Sequence, residues 1–167
     1  MTAAPCVKTG IRTKCRILIG IIHIAKKSNG GMKMKIALCI DDKNGMTFNK
    51  RRQSRDRVLI DDLVKLCSGS RLLMNSYSAP LFADYQDSIE VREDFLDAAG
   101  EDDICFVENI DLLPYENMIT GIILYRWNRH YPSDRRLTID LSGFQQASVC
   151  EFAGSSHDNI TREVLTK

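Results

Sequence analysis

Several residue types that would point to a particular class of function are scarce in this chain. Its 167 residues include three histidines, four prolines and one tryptophan. The prolines are isolated, so no proline-rich linker or low-complexity tract divides the chain. The apolar run over residues 17–24 is interrupted by a glycine and a histidine. Because a membrane-crossing helix needs roughly 20 apolar residues, this run is far too short to span a bilayer.

Acidic side chains are absent from the first 33 residues, which contain seven lysines or arginines. The other 134 residues therefore hold 16 basic and 22 acidic side chains, and the near-neutral total hides two parts of opposite charge. Gly30 and Gly31, just before Met32 and Met34, are what a purine-rich ribosome-binding sequence would encode if it were translated. We expect residues 1–33 to be a basic leader that is disordered or results from an over-extended start, with a targeting arm as the alternative.

The second part of the chain, residues 34–167, is long enough for one domain of ordinary size. Its cysteines, Cys39, Cys67, Cys105 and Cys150, are spaced too widely for a C-x-x-C metal site and lie in apolar surroundings. Free thiols in such surroundings are usually buried and reduced. No A-x-A-like cleavage site follows the apolar run of the leader. These observations predict a single cytoplasmic domain.

Strand and helix patterns alternate through the first two thirds of this domain. Apolar periodicity predicts a strand at residues 35–41, a polar connection at 45–54 and a helix at 58–66. Further strands are predicted at 71–75, 88–92 and 104–107, with short helices at 78–83, 93–99 and near 114–118. The rest is mostly extended, at 121–129, 137–141, 145–152 and 159–165. This order predicts a single three-layer α/β domain with a mixed, mostly parallel central sheet and a β-rich C-terminal end.

From Met34 to Lys167 the chain resembles dihydrofolate reductase through short landmarks that occur in the same order. Residues 40–46, Ile-Asp-Asp-Lys-Asn-Gly-Met, are similar to the family's V-D-x-N-x-G-I turn after its first strand. Residues 72–78 resemble its V-I-M-G-R-x-T segment, and residues 162–165 resemble its terminal F-E-I-L strand. The resemblance implies a reductase-like fold with a cleft for ligand.

The positions that hold the cofactor in that family are changed here. Glycine-rich turns let its backbone approach the cofactor pyrophosphate closely, because a side chain would occupy that space. Residues 75–78 and the pair Glu108 and Asn109 stand at these turns, and a carboxylate repels a pyrophosphate. Residues 52–54 replace the family's L-P-W. At the position of its pterin-binding acid the direct register places Leu59, and Asp61 or Asp62 could stand there only if the helix were re-registered. We therefore expect no cofactor and no reductase activity, and interpret the chain as a non-catalytic ligand-binding or regulatory module.

A second resemblance is to small bacterial proteins that begin M-K-I-A-L-C-x-D-D and share the segments at residues 125–132 and 152–157. These proteins are commonly named ribonuclease Z, a name that implies metal-dependent cleavage of tRNA 3′ ends. Such a site needs several histidine and carboxylate ligands, typically as H-x-H-x-D-H. After residue 33 the chain has only His130 and His157. A ribonuclease acting on RNA is therefore the alternative function, without a metal motif to support it.

Two sets of polar side chains are expected to face the cleft of a reductase-like fold. A basic set lies on the loop and helix start above the cleft, and a mostly acidic set lies below it: Lys50, Arg51, Arg52, Arg55 and Arg57 above, and Asp41, Asp42, Glu108 and Asn109 below. A groove of mixed charge suits a small zwitterion, a nucleotide base or an acidic peptide. RNA is a less favoured partner because residues 34–167 are acidic overall. The competing interpretation is a solvated basic loop.

Catalytic candidates are few. Residues 155–158, Ser-Ser-His-Asp, contain a nucleophile, a base and an acid, but consecutive residues on an extended chain point to opposite faces. A polar turn is therefore expected there rather than a relay. Asp41 and Asp42 are interpreted as turn formers rather than as a divalent-ion site. Trp127 lies among basic residues that could stack on single-stranded RNA, but its alternating position predicts a core side chain. We predict no catalytic and no metal site.

Overall fold

The computed structural model describes residues 32–167. Its strands are β1 Met34–Ile40, β2 Gly45–Phe48, β3 Arg51–Arg52, β4 Leu72–Met74, β5 Ile89–Val91, β6 Ile104–Phe106, β7 Ile119–Arg126, β8 Arg135–Arg136, β9 Gln145–Phe152 and β10 Ile160–Thr166. The α-helices are α1, Arg57–Leu66, and α2, Phe95–Ala98. Successive 3-10 turns cover Ala79–Ser88 and Leu113–Tyr115. The leader predicted at residues 1–33 lies almost wholly outside the described residues.

A seven-stranded sheet with the order β5-β4-β6-β1-β7-β10-β9 forms the centre of the domain. The pairs β5–β4, β4–β6, β6–β1 and β1–β7 are parallel, and the pairs β7–β10 and β10–β9 are antiparallel. A small antiparallel sheet has the order β3-β2-β8. The predicted mixed, mostly parallel sheet with a β-rich C-terminal end is therefore confirmed.

Both faces of the central sheet are covered, which explains why β1 reads as a nearly continuous apolar run. Ile36 and Leu38 point into one core, together with α2 and the segment around Leu112. Ala37 and Cys39 point to the opposite face, into a second core formed with α1 and the first 3-10 segment. The two cores and the sheet between them give the three layers.

Helix α1 begins where the sequence supplies a capping side chain. Asp56 is the N-cap, and its carboxylate accepts a hydrogen bond of 3.1 Å from the backbone N–H of Leu59. Leu59, Ile60 and Leu63 form the buried stripe that packs on the sheet. Such a cap contributes about 1 kcal/mol to helix stability. The predicted helix at 58–66 is confirmed.

The prediction of a polar connection at residues 45–54 is wrong in detail, because this region contains β2 and β3. Asn49 and Lys50 join these strands with φ angles of 50° and 61°, which are typical of the two-residue type I′ turn of a β-hairpin. Phe48 pairs directly with Arg51 across the hairpin. The sequence does not indicate the hairpin because β3 is only two residues long and consists of arginine, which carries no strand pattern.

Three other predicted elements differ in the structure. The helix expected at 78–83 is a series of 3-10 turns that extends to Ser88, and the helix near 114–118 is a single 3-10 turn. Residues 137–141 form no strand, although Leu137 and Leu141 pack against the first core. Among residues 32–167, no helix has the length and apolar character needed to cross a membrane.

Candidate ligand-binding site

The carboxyl ends of β1, β4 and β6 meet at one edge of the central sheet because these strands are parallel neighbours. The chain leaves β1 for β4 on one side, and β7 later pairs with β1 on the other side. This is a switch point of the strand order, and α/β proteins commonly bind ligands at such a crevice. Asp41, Asn75 and Glu108 follow the three strand ends and are all buried.

A buried ion pair joins the β2–β3 hairpin to the end of β6. Nη2 of Arg52 lies 3.2 Å from Oε2 of Glu108, and the two side chains are only 11% and 10% exposed. The same Nη2 donates a hydrogen bond of 2.6 Å to the carbonyl of Tyr77, and the guanidinium lies 4.8 Å from the centre of the Tyr77 ring. Arg52 is therefore fixed on three sides by the segment after β4 and by β6.

Glu108 also contacts the segment that follows β4. Its Oε2 accepts a hydrogen bond of 2.7 Å from the hydroxyl of Ser78. Burial raises the pKa of Glu108 above its ordinary value, although Arg52 and Ser78 act in the opposite direction. Nearby, the amide of Asn75 donates to Oδ1 of Asn109 at 3.0 Å. These side-chain bonds bridge the ends of β4 and β6.

A basic pocket of about 650 Å³ opens beside this ion pair. Its walls contain four basic residues and no acidic residue: Lys50, Arg51, Arg52, Gln53, Ser54, Arg55, Tyr77 and Pro80. Lys50, Arg51 and Arg55 are exposed. Nη1 of Arg52 is buried and has no hydrogen-bond partner among the described residues. An unmade bond from a buried charged donor costs roughly 1–3 kcal/mol or more, but this atom has too little accessible surface to meet a ligand in the pocket.

A smaller aromatic pocket of about 280 Å³ lies on the other side of the hairpin. It is lined by Phe48, Asn49, Arg51, Arg52, Gln53, Tyr131 and Pro132. Arg51, Arg52 and Gln53 line both pockets, so the two are adjacent. Phe48 is 49% exposed, which leaves its ring available to a ligand.

Asp41 does not line either pocket and is 0% exposed. Its Oδ1 accepts bonds from the backbone N–H of Lys43 at 2.8 Å and of Gly45 at 2.7 Å. Its Oδ2 accepts bonds from the amide of Gln53 at 3.1 Å and from the backbone N–H of Tyr131 at 3.2 Å. Burial raises the pKa of Asp41, but these hydrogen bonds outweigh burial and lower it below the ordinary value. Asp41 is therefore a buried carboxylate that holds the turn after β1, the segment after β3 and the loop between β7 and β8 together.

Asp42 and Arg57, which were also predicted to line the groove, lie outside the basic and aromatic pockets. Asp42 is exposed in the turn after β1 and lines no pocket described above. Arg57 lies at the start of α1 and lines a third pocket of about 350 Å³, which shares Arg55 and Pro80 with the basic pocket. This third pocket also contains Asp61 and Asp84. The structure thus brings Lys50, Arg51, Arg52 and Arg55 together with Glu108 behind them, and does not bring Asp41 or Asp42 to the same surface.

The Ser-Ser-His-Asp segment differs from the geometry expected for an extended chain. Ser155 and Ser156 lie in a bend, and Oγ of Ser156 is 2.8 Å from Nδ1 of the following His157. Oγ of Ser156 also lies 2.9 Å from Oδ2 of Asp56, and the hydroxyl of Tyr131 lies 2.8 Å from Nε2 of His157. The segment is a polar turn, as predicted, and because it is not extended, the side chains of Ser156 and His157 do contact each other.

This cluster still lacks the order of a catalytic relay. Asp56 contacts the serine more closely than the histidine, whose Nδ1 is 3.8 Å from the carboxylate. His157 is buried and stacks on Trp127 with ring centres 4.6 Å apart. Burial lowers the pKa of His157, although Asp56 acts in the opposite direction. The cluster anchors the start of α1 to the segment before β10. Trp127 is a core side chain, as predicted.

Cys39 lies on the α1 face of β1 near the ion pair. Burial, followed by the charges of Glu108 and Asp56, raises the pKa of this thiol well above its ordinary value. The thiol is therefore neutral and a poor nucleophile. In residues 32–167, no group of three or more histidine, cysteine or acidic side chains could together hold a metal ion. His130 lies 3.9 Å from Asp41, whereas His157 lies beside Asp56.

Three residues that help to form or support the site were not predicted from the sequence. Tyr77 contacts Arg52 but carries no signal in the linear pattern, because its partner lies 25 positions away. Asp56 could have been recognised as a helix N-cap, since it directly precedes the apolar periodicity of α1. Tyr131 lines the aromatic pocket through a loop between β7 and β8, and no local rule predicts that approach.

Comparisons with known proteins identify the fold. No family model and no curated protein matches the chain. Among solved structures, the chain is similar to dihydrofolate reductase from Enterococcus faecalis complexed with NADP(H) and RAB-propyl, with a TM-score of 0.55. The sequence identity is 10%, and the similarity covers 80% of this chain and 95% of that chain. The domain therefore has a dihydrofolate reductase-like fold, as predicted. The comparisons give no support to the name ribonuclease Z.

Proposed function

We propose that this domain is a non-catalytic module that binds a small anionic ligand in the basic pocket. The observation that carries the proposal is the set of exposed cations on Lys50, Arg51 and Arg55, which line one pocket beside the buried guanidinium of Arg52. A phosphate or carboxylate of a ligand would lie among these donors. Guanidinium groups bind these anions well because their donors form a planar fork.

The charge of the pocket supports an anion rather than a zwitterion. Glu108 compensates Arg52 and also interacts with the charge of Arg55, but among the described residues the side chains of Lys50 and Arg51 make no hydrogen bond or ion pair. A concave surface lined by one sign of charge raises the local concentration of the opposite ion. Of the ligands considered from sequence, a nucleotide or an acidic peptide fits this surface better than a zwitterion.

The ends of β4 and β6 fit a dinucleotide cofactor poorly. Asn75, Ser78, Glu108 and Asn109 form hydrogen bonds with one another across the gap between these strands. A pyrophosphate placed there would have to displace these bonds and would meet a carboxylate. This arrangement supports a domain that has lost reductase activity, and a cytoplasmic location is part of the same proposal.

Thermal denaturation of the full chain with inorganic phosphate, pyrophosphate and citrate tests the anion site. A ligand at 100 times its dissociation constant stabilises the native state by roughly 2.7 kcal/mol. The variant that changes Lys50, Arg51 and Arg55 to alanine should lose this effect, and the matched control changes Lys43, Lys65 and Arg129, which are exposed outside the pocket. Arg52 is left intact because its removal would strand Glu108. An equal loss in both variants, or no stabilisation by any anion, would sink the proposal.

Ribonuclease activity remains the less favoured alternative. Hydrolysis of RNA without a metal requires a base and an acid beside the scissile phosphate, and His157 is buried and already bonded to Tyr131 and Ser156. Purified protein should therefore leave a tRNA precursor uncut. Cleavage that copurifies with the chain and is lost in a His157→Gln variant with unchanged folding would favour the alternative.

A further inference from the structure

The two adjacent pockets offer different chemistry to one ligand. The basic pocket supplies cations, whereas the aromatic pocket supplies the ring of Phe48, the ring of Tyr131 and the flat edge of Pro132. An aromatic side chain that is half exposed at the end of a strand contributes less to stability than a buried one, because part of its apolar surface stays in water. Phe48 is such a side chain, so its ring is available as a stacking surface.

The hairpin turn fixes these two surfaces relative to each other. Phe48 and Arg51 are a cross-strand pair, with only Asn49 and Lys50 between them. Both turn residues have positive φ, a conformation that costs a residue with a side chain roughly 1–2 kcal/mol. The tip is also held by Asp134, whose carboxylate accepts a bond of 2.7 Å from the Asn49 N–H. Phe48, Lys50 and Arg51 are therefore presented on a short, well-defined turn.

Gln53 adds a polar group at the boundary between the pockets. Its Nε2 donates to Asp41, which fixes the orientation of the side-chain amide. Its Oε1 is buried and has no hydrogen-bond partner among the described residues. This atom is closed to a ligand because it has almost no accessible surface, so Gln53 contributes a fixed amide to the wall that the two pockets share.

We infer that the combined site takes a mononucleotide. The base stacks on Phe48 in the aromatic pocket, while the phosphates lie among Lys50, Arg51 and Arg55. This inference rests on the proposed anion site and adds the identity of the group attached to the anion.

The far end of the surface argues for a mononucleotide rather than RNA. Beyond Arg55 and Pro80 the third pocket contains Asp61 and Asp84, and their carboxylates would repel the phosphates of a continuing strand. Residues 34–167 also carry more acidic than basic side chains. A continuous cationic track, which nonspecific binding of single strands requires, is therefore missing from this part of the surface.

Binding of pyrophosphate, ADP, UDP and a six-nucleotide oligo(A) to the full chain tests the inference by calorimetry. ADP and UDP should both bind more tightly than pyrophosphate, because every base has a face that can stack on Phe48. Phe48→Ala should weaken ADP by roughly fivefold or more and leave pyrophosphate unchanged, because loss of one stacking contact has about this effect. Phe48→Tyr should restore binding. Val91→Ala is the matched control, since Val91 is 47% exposed on the opposite edge strand β5.

The possible failures are distinguishable. Equal affinity for pyrophosphate and ADP, or an unchanged affinity for ADP in Phe48→Ala, overturns the base site and leaves the anion site standing. Absence of binding by all four ligands overturns the proposed function itself. Tighter binding of oligo(A) than of ADP, with the same dependence on Phe48, replaces the mononucleotide with a single-stranded nucleic acid and also overturns the inference.

Discussion

The guanidinium of Arg52 and the carboxylate of Glu108 are 3.2 Å apart, although 56 positions separate them in the sequence. Arg52 lies on the hairpin of the small sheet, and Glu108 lies just beyond β6 of the central sheet. Because both side chains are buried, the pair fixes one sheet against the other. Glu108 also interacts with the charge of Arg55, whereas Lys50 and Arg51 make no side-chain ion pair among the described residues, and this excess of positive charge is the electrostatic basis of the proposed site.

Removal of either partner of this pair should destabilise the domain strongly. A buried charge that loses its partner costs about 3–5 kcal/mol, so Arg52→Leu should lower the free energy of unfolding by that amount. The double variant Arg52→Leu/Glu108→Leu should be less destabilised than the sum of the two single variants. Urea denaturation measures all three. Arg51→Leu is the control, because Arg51 is exposed and should change stability by no more than about 0.5 kcal/mol. Additive effects in the cycle would contradict the pairing.

Asp56 should make the domain sensitive to acid. Burial raises its pKa, but hydrogen bonds from Ser155, Ser156 and Leu59 outweigh burial and lower the pKa to about 2, from 3.8. A carboxyl group with a lowered folded pKa stabilises the native state above its unfolded pKa and loses this contribution as the pH falls through the folded value. The stability difference between the native chain and Asp56→Asn should therefore be constant above about pH 4 and shrink between 3.8 and about 2. Chemical denaturation across this range measures it, and a difference independent of pH would be the contrary result.

His157 should titrate below the ordinary histidine value of 6.5 because burial lowers its pKa. The unfolded chain then binds more protons than the native chain as the pH falls through 6.5, so stability should decrease in this direction. NMR of the imidazole protons gives the midpoint directly. Trp127 stacks on His157 and is the single tryptophan, so its fluorescence should change with the same midpoint. A midpoint at or above 6.5 would show that Asp56 dominates over burial.

Gly154 should not tolerate a side chain. A Cβ atom at this position would overlap the carboxylate of Asp56 and the Cδ1 atom of Ile160. Gly154→Ala should therefore lower the free energy of unfolding by about 1–3 kcal/mol, as overpacking does elsewhere. Gly143→Ala is the matched control, since nothing lies within 4 Å of its Cβ position. Equal melting temperatures for the two variants would mean that the segment before β10 adjusts freely.

Lys50 should trade stability against ligand binding. Its φ of 61° favours glycine, so Lys50→Gly should raise the free energy of unfolding by about 1 kcal/mol and weaken binding of pyrophosphate. Lys50→Ala keeps the unfavourable backbone conformation and removes the charge. It should weaken binding to the same degree without the gain in stability. Thermal denaturation and calorimetry of both variants separate the two effects, and tighter binding in either variant would exclude Lys50 from the site.

The fold was predictable from sequence to the extent that it depends on local pattern. The buried strands β1 and β6 are short apolar runs, and α1 has a clear stripe with a capping aspartate before it. The hairpin formed by β2 and β3 was missed because its stability depends on a turn conformation and on contacts with distant residues. Charged residues such as Arg51 and Arg52 do not indicate a strand by themselves.

The site was less predictable because charge alone does not say which side chains are available. The basic set was placed near the cleft from its position in the fold, and four of its five members do line one pocket. Asp41 was expected beside them as an acidic wall. Four hydrogen bonds bury it instead, and these bonds come from loops that are up to 90 positions away. The burial of Asp41 depends on tertiary contacts that cannot be read from the linear sequence.

Asp41 couples the hydrogen exchange of the loop after β1 to that of the loop between β7 and β8. A single carboxylate receives the amide hydrogens of Lys43, Gly45 and Tyr131 and also holds Gln53. When the carboxylate rotates away, all of these bonds are lost together. The three amides should therefore exchange with one opening free energy, as a small cooperative unit. Because Gln53 lines both pockets, local opening around Asp41 should also disturb the wall that the two pockets share.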